Sequence, residues 1–444
     1  MVLIEEAALG GWGQRDSARV WHPFTQHQWG ESPIPLVRGK GAYLYDADGK
    51  AYLDLVSSWW TNLHGHGHPV LVEAIASQAA TLDHAMFAGF THLPAIQLCE
   101  ALATALPEAL SRFFFSDNGS TAVEVALKMA YQYWIQKDEP ERQMFLAFEG
   151  GYHGDTLGAM AVGRGCGFHD PFSTLFCEVL ITPHAATWEN DLDVEAKEAA
   201  ALNKLDELLE AYGDRIAAFI AEPLIQGAGG MRVCRPDFLN AVVAKVKAAG
   251  VLIILDEVFT GFGRTGTDFA LNQLAFVPDL LCLSKGLTGG MMPLALTVAT
   301  QKIYHAFWGD SISQAFLHGH SYTANPIACA AALASFQLLQ REDCIQQRKT
   351  LEATHHEGLA YLKAAVSSLC APRIIGTIAA WNVFDPATDY SHPAGKTLRK
   401  AALAQGLILR PLGNTLYLVP PYCMPSTALL QAYHTLGHLM QQSF

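Results

Sequence analysis

The sequence predicts an α/β protein with one large domain, built on a doubly wound and mainly parallel sheet, and one smaller α+β domain. Between residues 70 and 335, short apolar runs alternate with segments of helical periodicity, a pattern typical of a parallel sheet covered by helices on both faces. The 444 residues exceed the size at which a single core usually keeps growing. We therefore assign residues 70–335 to the large domain, and residues 1–69 and 336–444 to the smaller one.

The predicted elements follow from local patterns along the chain. Alternating residues in GAYLYDADGKAYLDL flank the turn pair Asp48-Gly49, which predicts a hairpin. The acidic, alanine-rich stretch 188–212 predicts a solvated surface helix, and a long helix is expected after residue 335, followed by strands near 373–383 and 416–419. Apolar runs predict six strands of the large sheet, at residues 112–116, 144–148, 217–221, 251–256, 280–284 and 294–299.

Composition excludes several classes of partner. The chain has 29 Lys+Arg against 42 Asp+Glu, a formal net charge of −13, and no basic stripe that would suit nucleic acid. No apolar run approaches the roughly 18 residues of a membrane span. Nine scattered cysteines without a C-x-x-C spacing, and a first stretch without a basic leader, lead us to expect a cytoplasmic protein with reduced thiols.

Lys285 is the first candidate catalytic residue. In LCLSKGLTGG an apolar strand ends at Ser284-Lys285 and a glycine-rich turn follows. Ligands of open α/β sheets bind beyond the carboxyl ends of the strands, where an amine can form a Schiff base with an aldehyde cofactor. The alternative is an ordinary solvated lysine at a strand end.

Asp256 closes the buried strand VLIILDEV at the same predicted edge. A buried carboxylate needs a partner, and the protonated nitrogen of a pyridine ring would be one. The alternative is a structural salt bridge to an arginine or lysine.

The segment FFFSDNGSTAVEVALKMAYQYW runs from a strand through a small-residue turn into a helix. Thr121 and Glu124 have the spacing of a capping box, and free backbone amides at Gly119 and Ser120 would form a seat for a phosphate. The same pattern also fits an ordinary crossover connection.

Tyr152, in FEGGYHGDTLGAM, follows another predicted strand and offers a flat ring beside flexible glycines. Such a ring can stack on a pyridine, although buried tyrosines more often pack against the core.

Two further motifs suggest other chemistry but lack its context. GFGRTG (261–266) matches G-x-G-x-x-G, with Asp279 beyond it, but the glycines do not follow the strand directly and no amphipathic helix begins after them. HGHGH (64–68) lacks a third cluster of ligands, so we expect no metal.

The four elements that contain Lys285, Asp256, Gly119 and Tyr152 resemble, in this order, the class III (subgroup II) aminotransferases over nearly the whole chain. LDEVFTGFGRTG followed by SKGLTGG is the most specific part of the resemblance. It implies the pyridoxal-phosphate-dependent transferase fold of type I and pyridoxal 5'-phosphate as cofactor. The segments WHPFTQ, SSWW, GGYHGD, QGAGGM and LRPLGNTLYLVPPY are similar to those of the branch that aminates 8-amino-7-oxononanoate in biotin synthesis.

The resemblance also implies roles for the cofactor-binding residues. Lys285 would bind the cofactor covalently, Asp256 would hold the pyridine nitrogen, and Tyr152 would stack on the ring. Gly119 and Ser120 would bind the phosphate.

The family's sites are shared across a homodimer, so Ser321 would reach the same phosphate from the neighbouring subunit. Trp59 and Trp60 would border the hydrocarbon chain of the keto acid, Arg410 would pair with its carboxylate, and Tyr417 would lie nearby. The alternatives are interface packing for the two tryptophans and a surface ion pair for the arginine.

Two departures from the family pattern concern the amino donor. Phe24 stands where enzymes that use S-adenosylmethionine often have tyrosine, and Gly319-His320-Ser321 stands where Gly-Pro-Thr is common. We include Phe24 and Gly319 among the substrate-binding residues and expect S-adenosylmethionine as donor, with lysine as the alternative.

Three competing functions remain open from the sequence. One is another class III ω-aminotransferase or an aminomutase with the same cofactor chemistry. The second is a nicotinamide-dependent oxidoreductase built on GFGRTG, and the third is a binding protein without catalysis, which an intact Lys285 and Asp256 disfavour.

Overall fold

A computed structural model describes residues 11–29, 32–164 and 169–444. Residues 1–10 of the predicted N-terminal segment, and Cys166, lie outside the described residues. The strands are β1 (Leu36–Lys40), β2 (Tyr43–Asp46), β3 (Ala51–Asp54), β4 (Leu110–Ser116), β5 (Met144–Phe148), β6 (Val179–Thr182), β7 (Ile216–Ala221), β8 (Ile225–Gln226), β9 (Arg232–Val233), β10 (Leu252–Asp256), β11 (Leu280–Leu283), β12 (Ala295–Thr300), β13 (Leu369–Ile375), β14 (Ile378–Val383), β15 (Leu407–Ile408) and β16 (Thr415–Leu418).

The helices are α1 (Trp12–Ser17), α2 (Ser57–Trp60), α3 (Pro69–Thr81), α4 (Leu93–Ala105), α5 (Gly119–Gln136), α6 (Leu157–Val162), α7 (Val194–Tyr212), α8 (Pro236–Ala248), α9 (Gln301–Ala306), α10 (Pro326–Leu339), α11 (Glu342–Ala365), α12 (Ala394–Ala404) and α13 (Ser426–Ser443). Short 3₁₀ helices cover His27–Trp29, Asp170–Leu175, Ala270–Gln273, Lys285–Thr288 and Ile312–Gln314.

The large sheet has seven strands in the order β4-β12-β11-β10-β7-β5-β6. The pairs from β11 through β6 are parallel, and β12 runs antiparallel to both of its neighbours. This confirms the predicted α/β class with a mainly parallel sheet. All six predicted strands are present within two residues at either end, and β6 is a seventh strand that the sequence pattern did not reveal.

The reversal of β12 follows from the connection that precedes it. Parallel neighbours need a crossover of a dozen or more residues, usually with a helix. Between β11 and β12 the chain has only a 3₁₀ turn (Lys285–Thr288) and a glycine-containing loop, so the next strand returns antiparallel. Lys285 lies in this tight connection.

The strands of the sheet are buried on both faces, as their continuous apolar sequences predicted. Phe145 and Ala147 pack in the hydrophobic cluster that contains α5, whereas Leu146 and Phe148 pack in the cluster that contains α8 and part of α7. This alternation fixes the register of β5. The carboxyl ends of the parallel strands lie at one edge of the sheet, and that of the antiparallel β12 lies at the other.

The N-terminal segment forms a second sheet in the order β1-β2-β3-β15. Its predicted hairpin is present as the antiparallel pair β2 and β3, and β15 from the C-terminal part of the chain pairs in parallel with β3. The boundary expected at residue 335 falls inside α10. The division of the chain into domains stays a prediction.

One of these predicted elements needs correction. The helix expected over 188–212 begins only at Val194, because the residues before it are bonded elsewhere: the Glu189 N–H donates to Pro372 O, and the Trp188 ring packs under the Lys197 ammonium. The strands predicted near 373–383 are confirmed as the antiparallel pair β13 and β14. Among the helices of the described residues, none combines the length and apolar composition needed to cross a bilayer.

Candidate active site

A cavity of about 660 Å³ opens at the carboxyl edge of the large sheet. Parallel strands bring residues that are distant in sequence to this edge. Its lining includes six of the residues that sequence reasoning selected: Trp60, Gly119, Ser120, Tyr152, Asp256 and Lys285. The ammonium and the carboxylate on which the prediction depends therefore line the same cavity.

Lys285 lies immediately after β11 with a left-handed φ of 43°. Its Nζ is 4.8 Å from the centroid of the Trp60 ring and 5.7 Å from that of Phe259. Burial lowers the pKa of Lys285, although the carboxylates of Asp256 and Glu222 oppose this shift. The result is an amine that loses its proton more readily than a solvated lysine, as a nucleophile or base requires.

Asp256 ends β10 and is buried. Its Oδ2 lies 2.7 Å from Nδ1 of His153, and its Oδ1 accepts the Val258 N–H at 3.0 Å. Within the described parts of the chain, the side chain bonded to this carboxylate is His153 and not the arginine or lysine of the alternative interpretation. The carboxylate is thus held rigidly with its charged end in the cavity wall.

The start of α5 provides unbonded amides at the cavity. The capping box is formed by Asn118 and Thr121, not by Thr121 and Glu124 as the spacing suggested, because the helix begins at Gly119. Glu124 instead accepts the N–H groups of Gly158 and Ala159.

Among the described residues, the N–H groups of Gly119 and Ser120 have no recorded acceptor. They lie at the N-terminus of an 18-residue helix, which is the positive end of the helix dipole. Phosphate groups commonly bind at such helix N-termini. A Cβ at residue 119 would lie 2.5 Å from Val258 Cγ1, so only glycine fits there. The Ser120 hydroxyl is bonded to Thr156.

Tyr152 follows β5 and lines the cavity. Its N–H donates to Glu222 at 3.0 Å, its hydroxyl donates to Asp155 at 2.9 Å, and one ring face stacks on His169 with centroids 5.7 Å apart. The ring is therefore fixed at three points. The predicted stacking on a cofactor ring stays a prediction.

The two tryptophans lie on α2, a single turn in which all four residues have positive φ, between 45° and 74°. A left-handed φ costs a non-glycine residue about 1–2 kcal/mol, so contacts outside the turn must hold it. Sequence reasoning gave no sign of this conformation, because glycine is its usual signal.

Trp60 connects the cavity to Tyr417, whose ring centroid lies 5.9 Å away. Trp59 points to a second group of residues: the Arg410 guanidinium lies 3.9 Å from its ring centroid, and Phe24 packs edge-on at 5.5 Å. Trp59, Arg410, Tyr417 and Phe24 are not among the residues that line the 660 Å³ cavity. They adjoin it through Trp60.

Gly319 and Ser321 are exposed and do not line the cavity of their own chain. Of the predicted site residues, these two neither line the cavity nor belong to the group that adjoins it through Trp60.

Comparison with known proteins identifies the family. The model for "Aminotransferase class-III" matches residues 25–440. The chain is 53% identical over 423 residues to an adenosylmethionine-8-amino-7-oxononanoate aminotransferase of Synechococcus elongatus, covering 95% of this chain and 98% of the relative. The chain belongs to the class III aminotransferases.

Solved structures agree with the fold of this aminotransferase. The adenosylmethionine-8-amino-7-oxononanoate aminotransferase of Methanocaldococcus jannaschii superimposes with a TM-score of 0.90 at 33% identity, covering 97% of this chain and 98% of the other. A PLP-bound amine transaminase from an uncultivated Pseudomonas species gives a TM-score of 0.88 at 32% identity, covering 95% and 98%. The fold is therefore that of type I pyridoxal-phosphate enzymes, and the cofactor of the class is pyridoxal 5'-phosphate.

The aminotransferase's own residues fit this cofactor. Unbonded amides at Gly119 and Ser120 suit a phosphate, a buried carboxylate suits a protonated pyridine nitrogen, and an amine with a lowered pKa suits an aldehyde carbon. All three lie around one cavity.

Sequence reasoning missed two polar groups of the aminotransferase site. His153 holds Asp256, and Glu222 accepts the N–H groups of Tyr152 and Gly227. Burial raises the pKa of Glu222. A usable signal existed for Glu222, since it follows the apolar strand IAAFIA as Asp256 ends LIILD.

The two other motifs have structural contacts in this enzyme. Buried Arg264 of GFGRTG donates to the carbonyl oxygens of Trp60, Asn62 and Pro420, and no α-helix follows the motif directly. In HGHGH, His64 contacts Ser335. Within the described residues, no group of three or more histidine, cysteine or acidic side chains could hold a metal ion.

Proposed function

We propose that this aminotransferase converts 8-amino-7-oxononanoate to 7,8-diaminononanoate in biotin synthesis, with S-adenosylmethionine as amino donor and lysine as the alternative donor. In this exchange the donor's C–NH₂ becomes C=O, and the ketone at C7 of the acceptor becomes C–NH₂. Relatives named for this reaction, up to 53% identical over 95% of the chain, support the proposal.

The structural observation that carries the proposal is the position of Arg410 on the face of Trp59. The guanidinium lies 3.9 Å from the ring centroid, and the adjacent Trp60 lies 4.8 Å from the Lys285 ammonium. An apolar wall that ends in a cation suits a hydrocarbon chain that ends in a carboxylate. The reacting ketone would then lie near Lys285.

Pyridoxal 5'-phosphate supplies an electron sink and the carbonyl carbon that takes up the amino group. Lys285 would bind it covalently and, once displaced, its Nζ would move a proton to and from the substrate carbon that carries nitrogen. The lowered pKa of Lys285 suits this base role.

The other residues of the site position the reactants. Asp256 would keep the pyridine nitrogen protonated, Tyr152 would stack on the ring, and the amides of Gly119 and Ser120 would bind the phosphate. Tyr417, which lies beside Trp60, would border the substrate chain.

We further propose a homodimer with shared sites, in which Ser321 reaches the phosphate of the neighbouring subunit and Gly319 borders its substrate. Exposure of both residues, away from the cavity of their own chain, supports this arrangement. We place the enzyme in the cytoplasm, which the eight free cysteines of the described residues support.

The donor is tested by mixing purified holoenzyme with S-adenosylmethionine or with lysine and following the visible absorption band of the bound cofactor. We expect S-adenosylmethionine to remove the band, and added 8-amino-7-oxononanoate to restore it with formation of 7,8-diaminononanoate detected by mass spectrometry. Lys285→Ala is the control. If neither donor changes the band, or no diamine forms, the proposed substrates are wrong.

Phe24→Tyr tests the residue at which the donor pattern departs from the family. Phe24 packs edge-on against Trp59. A hydroxyl added to its ring would therefore lie beside the apolar wall of Trp59 and Trp60 that we propose borders the substrate. If this wall also contacts the donor, the substitution will change KM for S-adenosylmethionine more than KM for the acceptor.

A further inference from the structure

Asp54 is a fully buried carboxylate at the end of β3, just before the left-handed turn α2. Its Oδ1 accepts the Val56 N–H at 3.2 Å. Its Oδ2 accepts the Ser58 hydroxyl at 2.9 Å and lies 2.9 Å from Nε2 of His66. Two of these three hydrogen bonds come from the turn that carries Trp59 and Trp60: one from Val56, which precedes it, and one from Ser58, its second residue.

The hydrogen bonds of His66 determine its tautomer, that is, which ring nitrogen carries the hydrogen. The Asn62 side-chain oxygen accepts the Gly65 N–H at 2.7 Å, which leaves its Nδ2 to donate to His66 Nδ1 at 3.2 Å. His66 Nε2 therefore carries the hydrogen and donates to Asp54. This is the middle histidine of HGHGH, the motif from which the sequence predicted no metal site.

The ionised state of Asp54 follows from these donors. Burial acts to raise the pKa of Asp54, but hydrogen bonds from His66 and Ser58 outweigh it and lower the pKa below the usual value. A full negative charge is thus available to hold the donors of the turn.

The turn also has supports of its own: the Trp60 N–H donates to Val56 O, and the N–H groups of Thr61 and Asn62 donate to Ser57 O. The Ser57 hydroxyl donates to Val419 O at 2.7 Å, and Arg264 holds the carbonyl of Trp60 at its end. Ser58 and Trp59 are exposed, so core packing does not fix their left-handed φ of 45° and 71°. Asp54 accepts hydrogen bonds from the backbone N–H of Val56, before these two residues, and from the side-chain hydroxyl of Ser58.

We propose that Asp54 is a positioning residue for substrate binding, which holds α2 in its left-handed form and so sets Trp59 against Arg410 and Trp60 against Lys285. The proposal rests on the proposed function for the identity of the substrate. Its physical basis is that loss of the charge would let residues 58 and 59 relax to negative φ, and the Trp59 ring would then leave the guanidinium.

The first test compares Asp54→Asn with the matched control Asp46→Asn in the holoenzyme. Asp46 is also buried, lies on β2 of the same sheet, and accepts hydrogen bonds from Tyr52, Asp48 and Lys50, but none from α2. For Asp54→Asn we expect KM for 8-amino-7-oxononanoate to rise about tenfold with kcat changed less than about threefold, because displaced side chains weaken substrate binding. The control should change KM less than twofold.

A second measurement needs no substrate. Trp60 lies 4.6 Å from the Phe259 ring centroid and Trp59 5.5 Å from that of Phe24, so the near-ultraviolet circular dichroism of the holoenzyme reports their arrangement. We expect it to change in Asp54→Asn and to stay unchanged in Asp46→Asn. If wild-type enzyme fails to aminate 8-amino-7-oxononanoate, only the proposed function is contradicted, and the spectra still decide this inference.

The third test is rescue. Ser58→Gly added to Asp54→Asn should restore KM at least in part, because glycine adopts positive φ without the steric cost. If Asp54→Asn does not fold, Ser58→Ala removes one donor to Asp54 at an exposed position and should raise KM in the same direction. Equal effects of the Asp54 and Asp46 variants on KM and on the spectrum, or a fall in kcat with KM unchanged, would overturn the proposal.

Discussion

Nδ1 of His153 lies 2.7 Å from Oδ2 of Asp256, and both side chains are buried. His153 lies in the connection after β5, and Asp256 is the last residue of β10. They meet because the carboxyl ends of these two strands lie at the same edge of the sheet. Because His153 and the Val258 N–H bond to its two oxygens, the Asp256 carboxylate keeps one orientation in the cavity wall.

This relationship predicts that His153 acts through Asp256. His153→Ala should lower kcat about tenfold, and Asp256→Asn should lower it by more, because an amide cannot keep the pyridine nitrogen protonated as an electron sink. Steady-state kcat and retention of the cofactor band measure both. The double variant should be no slower than Asp256→Asn alone, whereas additive losses would show that His153 acts independently.

Lys285→Ala should abolish turnover while the fold persists, because this side chain serves the cavity and not the core. Burial lowers the pKa of the lysine, so its removal also relieves a desolvation cost. We expect an unchanged far-ultraviolet circular dichroism spectrum and a melting temperature no lower than that of the wild-type enzyme without cofactor. Retained transaminase activity would refute the assignment.

Arg410→Lys should raise KM for the acceptor about tenfold or more and change kcat less, because lysine cannot make the paired hydrogen bonds of a guanidinium with a carboxylate. The contact of the guanidinium with the Trp59 ring, whose centroid lies 3.9 Å away, is also lost. An acceptor without the carboxylate is the control, since wild type and variant should bind it similarly. A KM effect of equal size with that acceptor would argue against a carboxylate site.

Subunit mixing tests the shared site. Ser321→Asp should weaken phosphate binding through charge repulsion, and Lys285→Ala should be inactive. In a mixed dimer, one site would combine Lys285 of the first subunit with Ser321 of the second and regain wild-type activity. Activity above that of either variant alone, on refolding the two together, would support the shared site, and its absence would contradict it. Unimpaired activity of Ser321→Asp alone would place Ser321 outside the site.

Glu257 predicts a pH-dependent stability. Its carboxylate accepts the N–H groups of Ala270 and Leu271, yet burial raises the pKa of Glu257 from 4.5 to about 7. Since the folded-state pKa is the higher one, the unfolded chain loses its proton first, and folding becomes less favourable as pH rises from 4.5 to 7.

The measurement is the melting temperature of wild type and Glu257→Gln across this pH range. The difference, wild type minus variant, should fall as the pH rises, by up to about 3 kcal/mol in free energy of unfolding. The amide cannot ionise, so a pH-independent difference would mean that Glu257 ionises normally in the folded enzyme.

The sequence by itself determined the α/β class, the six predicted strands and the residues at their carboxyl ends. Continuous apolar runs identify buried strands, and parallel strands place their carboxyl ends together. For this reason Lys285, Asp256, Gly119 and Tyr152 could be assigned to one cavity without coordinates. Arg410 and Trp59 were named only through the family resemblance.

Tertiary structure alone decided the pairs that orient these groups. Nothing local links His153 to Asp256. Asp54 contacts the turn locally, through Val56 and Ser58, but the bond from His66 that also holds its carboxylate comes from outside the turn. Hydrogen bonds between such groups depend on packing across strands, and a left-handed turn of non-glycine residues is stable only because distant groups hold it. Local sequence patterns encode periodicity and strand ends, whereas these contacts exist only after the sheets have assembled.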